Sequence, residues 1–77
     1  MTEENRQNAI AFVRSEIATL SEQTDNHERL AYHNRAHGAL FAIHAGGLIT
    51  AEEVLALGNE IGVANTKASS QVRGAKR

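Results

Sequence analysis

The stretch Gly46-Gly47-Leu48-Ile49-Thr50-Ala51-Glu52-Glu53 constrains the fold of this chain more than any other. Paired glycines end a helix, because glycine takes the left-handed conformation beyond the last turn without steric cost. Thr50 and Glu53 then have capping-box spacing, and Ile49 and Val54 flank the cap where a hydrophobic staple forms. One helix must stop and the next begin within about five residues. A link that short folds the second helix back on the first as an αα-hairpin.

The helix upstream of the glycines is expected over 26–46. Asp25 and Glu28 resemble a second capping box at its start. At about 100° per residue, two apolar rows run along it. One is Tyr32, Ala36, Ala39 and Ile43, suited to packing within the subunit. The other is Leu30, His33, His37, Leu40, Phe41 and His44. The remaining side holds Asn34, Arg35 and the small residues Gly38, Ala42 and Ala45. Two rows are more than one neighbouring helix covers.

A first helix is expected over 3–22, capped by Thr2, with Glu3 and Glu4 where the helix dipole favours negative charge. Ile10, Val13, Ile17 and Leu20, joined by Ala9, make its buried stripe, with Phe12 beside it. The third helix is expected over 51–64, burying Val54, Leu57, Ile61 and Ala64. From Asn65 the pattern fades into a polar, basic run with one strong apolar residue, Val72, which reads as a flexible tail. The expected architecture is therefore all-α: a small three-helix bundle over residues 1–64, followed by a flexible basic tail over 65–77.

A chain of 77 residues without cysteine has a marginal core and no disulfide to support it. A second subunit, a histidine-bound metal or tidy helix packing must serve instead. No apolar run approaches the roughly 18 residues of a membrane span. The polar start Met1-Thr2-Glu3-Glu4-Asn5-Arg6 is unlike a secretory leader, so a cytoplasmic location is expected.

His33 and His37 stand at i and i+4, a spacing that can chelate zinc or nickel. Two more ligands are needed to close a tetrahedral site. His44 lies about 10 Å further along the axis at 1.5 Å per residue, and His27 projects elsewhere. Only a symmetric partner could complete the set, so no metal and no cofactor are expected, with His33 and His37 as the sole candidates. No serine has an evident base, and Gly46-Gly47 lacks the strand and lysine of a phosphate loop, so an enzyme is not expected. Charge is uneven. Residues 1–64 hold nine acids against four arginines, net −5, whereas 65–77 hold Lys67, Arg73, Lys76 and Arg77, net +4. Those four cations are the only candidates for nucleic-acid contact. Read as a recognition helix, 51–64 offers acids and no arginine or lysine.

In its size, missing catalytic set and excess apolar face, the chain resembles in a general way the small helical regulators and inhibitors encoded by phages and plasmids. The likeness is one of style and rests on no motif. It implies a non-enzymatic interaction module that binds a partner protein and inhibits or regulates it. The alternative is a nucleic-acid-associated accessory protein using the basic tail. A homodimer paired through Leu30, His33, His37, Leu40, Phe41 and His44 is expected.

Overall fold

The computed structural model describes residues 2–75, which form three helices and no strand. They are α1 (Glu3–Ser21), α2 (Asn26–Ala45) and α3 (Ala51–Ala75). The all-α three-helix expectation holds, and the starts of all three helices fall where their caps placed them. The Thr2 hydroxyl accepts from the Asn5 N–H at 3.1 Å, and the Asp25 carboxylate accepts from the Glu28 N–H at 3.1 Å. At Thr50 the box is reciprocal: its hydroxyl accepts from the Glu53 N–H at 3.1 Å, while its own N–H donates to the Glu53 carboxylate at 2.9 Å.

The α2–α3 turn closes as a Schellman motif. The Leu48 N–H donates to the Ile43 carbonyl at 2.9 Å, and the Gly47 N–H donates to the His44 carbonyl at 3.0 Å. Gly47 carries the positive φ, 75°, that this closure requires.

Partners across the bundle give its topology. Arg6 meets Glu53 and Arg14 meets Glu60, so α1 and α3 run in the same direction. Arg35 meets Glu16 and Arg29 meets Asn65, so α2 runs against both. The result is a cylinder 49 × 17 × 15 Å. Its core joins Val13, Ile17 and Leu20 of α1, Ala36, Leu40 and Ile43 of α2, and Leu57, Ile61, Ala64 and Ala68 of α3, with Ile49 closing the turn.

Two expectations are corrected here. The stretch 65–75 is not a tail but the last three turns of α3, with Ala68 and Val72 buried. Physically, Ala64, Ala68 and Val72 continue the row of Leu57 and Ile61 at spacings of three and four, and small side chains there let α3 lie close to its neighbours. Gln71 fixes this end by donating to the Ser21 and Gln23 carbonyls at 3.1 and 2.8 Å. Lys76 and Arg77 lie outside the described residues. The second correction is Leu40. It was expected at an intersubunit face but is only 6% exposed and belongs to the core.

Candidate interaction surface

With Leu40 withdrawn into the core, the rest of its row stays at the surface. Leu30, His37 and Phe41 lie within about 40° of one another around α2, with His33 and His44 on the flank towards α3. Phe41 is 74% exposed and Leu30 is 45% exposed. His33 and His37 are half-buried and His44 is exposed. His37, Leu40, Phe41 and His44 face Val54 and Gly58 of α3 across a groove of about 200 Å³. Leu55, 70% exposed, stands one residue from Val54 on α3.

Charge is kept off this edge. The charged residues of α2 are Glu28, Arg29 and Arg35. Glu28 falls on the opposite side of the helix, at about 100° per residue. Arg29 is drawn towards α3, donating to Asn65 Oδ1 at 2.7 Å and to Asn26 Oδ1 at 2.9 and 3.0 Å. Arg35 turns to α1, where it donates to the Glu16 carboxylate at 2.8 Å and lies 5.0 Å over the Tyr32 ring. Among the described residues four ion pairs form, and none includes a histidine.

The His33 and His37 rings meet edge to face, with centres 4.6 Å apart. Burial lowers the His33 pKa from its ordinary 6.5, and the neighbouring His37 and Arg29 push it the same way. The neutral imidazole is therefore favoured. Among the described residues no three histidine or carboxylate groups gather around a common point, so one chain offers at most this pair to a metal.

The α1–α3 side is built differently. Arg6 pairs with Glu53, and Arg14 donates to both Glu60 carboxylate oxygens at 3.0 and 3.3 Å. The Arg6 hydrogen bond, with a backbone bond at Thr50, holds the Glu53 carboxyl below its ordinary value.

Of the cations considered for nucleic acid, Lys67 and Arg73 do not share a face. Lys67 borders the α1–α3 groove beside Ile17 and Ser21. Arg73 follows six residues later on the same helix, about 120° around it. Lys76 and Arg77 lie outside the described residues.

Glu16 was missed by the sequence reading. It is 7% exposed yet charged, and its carboxylate accepts from Arg35. Its position three after Val13 and four before Leu20 places it on the apolar stripe of α1, a signal the sequence does contain. Among the described residues no helix is long and apolar enough to cross a membrane. Comparison with family models, curated proteins and solved structures finds no match to this chain.

Proposed function

We propose that this chain is a small non-enzymatic interaction module that pairs with itself through α2 and binds a partner protein to inhibit or regulate it. The observation that carries the reading is Phe41. A phenylalanine 74% exposed lies on an edge without charge, beside a core that is complete without it. Burying a large apolar side chain fully is worth about 1.5–3 kcal/mol. Leu30 and Phe41 together could therefore supply a useful part of an association energy.

A second copy fits this edge because the edge is self-complementary. Leu30 and Phe41 lie at opposite ends of the stripe, with His33 and His37 between them. An antiparallel α2 pair about a two-fold axis near residue 35 sets Leu30 against the partner's Phe41, as an isologous contact requires. Pairing through α2 leaves Leu55 and Val63, 70% and 73% exposed on α3, for another protein.

Light scattering tests the pairing. A dimer at high micromolar concentration is expected at neutral pH. The double variant Leu30→Lys/Phe41→Lys, which sets like charges face to face, should be a folded monomer with an unchanged helical circular dichroism spectrum. A wild-type monomer refutes the pairing. Regulation of a partner is tested by affinity capture from lysate with wild type beside Leu55→Glu/Val63→Glu. A protein retained by the first and lost by the second supports it. Identical recoveries count against that surface.

A further inference from the structure

We propose that His33 and His37, with the same pair from a second copy, form a four-nitrogen zinc site on the two-fold axis of an α2–α2 dimer. The inference rests on the self-pairing reading above and adds a ligand to it.

The geometry comes from one turn of helix. Zinc is held by imidazole nitrogen at about 2.0–2.1 Å, which puts each ring centre about 3.2 Å from the ion. Two rings at the tetrahedral angle then stand about 5 Å apart. The His33 and His37 ring centres are 4.6 Å apart, close to that separation, and to chelate an ion the edge-to-face rings must turn so that one nitrogen of each faces it. Both rings are half-buried rather than enclosed, so an ion and a second chain can reach them.

Two nitrogens are half of a closed tetrahedral zinc site. The rest of one chain does not supply the others. His44 stands about 10 Å beyond His37 along the axis. Glu28, the one carboxylate of α2, lies across the helix, and among the described residues no third histidine or carboxylate joins the pair. The two-fold that sets Leu30 on the partner's Phe41 also sets His33 beside the partner's His37. The midpoints of the two pairings fall within one residue of each other, a rise of about 1.5 Å. The apolar ends of the stripe then flank the ion and exclude water from it.

The test uses the full chain, stripped with chelator, dialysed and titrated with zinc chloride. Calorimetry should give about one zinc per two chains, and sedimentation should show the dimer tightened about tenfold or more by zinc. Cobalt in place of zinc should give the intense visible bands of tetrahedral coordination. His33→Ala and His37→Ala should each lose the zinc effect, read against each variant's own metal-free dimer, and His27→Ala, which projects off the stripe, should keep both. A metal-free dimer that zinc neither binds nor tightens overturns the site and leaves the pairing standing. One zinc per chain on a monomer overturns the shared site. A chain that stays monomeric with and without zinc overturns both.

Discussion

The two long seams of α3 close in opposite ways. Against α1 it is stitched by charge: Arg6 to Glu53, Arg14 to Glu60, then Gln71 onto two carbonyls of the α1–α2 turn. Against α2, among the described residues, its one side-chain hydrogen bond is Arg29 to Asn65, and the outer edge is left to imidazoles, Phe41, Val54 and Gly58. The hydration of a charged seam is already satisfied, so covering it would strip water from its ions. An edge of imidazole rings and apolar side chains loses less water when covered and gains the burial of Leu30 and Phe41. The seam with no ion pair among the described residues is therefore the one suited to a second surface. On this reading, a helix face is suited to association by lacking charge as much as by carrying apolar residues.

The sharpest way to break this contrast is to cut the two neighbours Leu40 and Phe41 separately. Leu40→Ala opens a cavity in the core and should lower unfolding stability by about 2–5 kcal/mol. Phe41→Ala removes a side chain that is 74% exposed and should change the stability of the monomer by no more than about 0.5 kcal/mol, while weakening self-association. Urea denaturation at low micromolar concentration reads the first effect, and light scattering at high concentration the second. Equal losses of stability would mean that Phe41 is a core residue and that the open edge does not exist in solution.

These adjacent residues also show what periodicity leaves undecided. The hairpin was legible because its signals are local: the Gly47 φ of 75° and the Thr50–Glu53 box need no knowledge of the rest of the chain. The helix rows were legible as rows. Where one row ends and the next begins depends on where neighbouring helices stand, and Leu40 sits on that boundary, so it passed from the outer row to the core. The last turns of α3 were hidden for another reason. Asn65, Thr66, Lys67, Ser69 and Ser70 dominate the composition there, while the buried row is Ala64, Ala68 and Val72, and because the alanines barely register as apolar Val72 stood isolated. Of the candidate surface, Leu30, His33, His37, Phe41 and His44 came from sequence. Leu55 on α3 did not, because the row expected on that helix was Val54, Leu57, Ile61 and Ala64.

A smaller effect should come from the glycines. A methyl group added at Gly58 or Gly62 would meet nothing within 4 Å in the single chain. Each Gly→Ala change should therefore stabilise the monomer by up to about 1 kcal/mol through helix propensity. If a second copy leans on the α2–α3 edge, Gly58→Ala, beside Phe41 in the groove, should also weaken association, whereas Gly74→Ala should not. Thermal melting and light scattering on the same samples separate the two consequences. Stabilisation with undiminished pairing would move the contact off α3 and onto α2 alone.

The smallest effect, and the one that resolves the seams from each other, is their dependence on pH. The folded-state pKa of His33 is depressed, chiefly by burial and then by His37 and Arg29. Its contribution is fully present above the ordinary value of 6.5. It is lost as pH falls below that, because the unfolded chain takes up the proton first, and the loss levels off once pH passes the folded value. Glu53 is also depressed in the folded chain, here by its bonds to Arg6 and Thr50, so its contribution is present above 4.5 and lost as pH falls through the folded value. Glu3, held down by Gln7 and Arg6, follows Glu53. Acidification should thus loosen the imidazole edge first and the ionic seam later. Urea midpoints of the dilute chain between pH 8 and pH 3 should fall in two steps. His33→Asn should remove the upper step, and Glu53→Gln should shrink the lower one. An upper step that survives His33→Asn would assign it to another group and remove the electrostatic distinction drawn between the two seams.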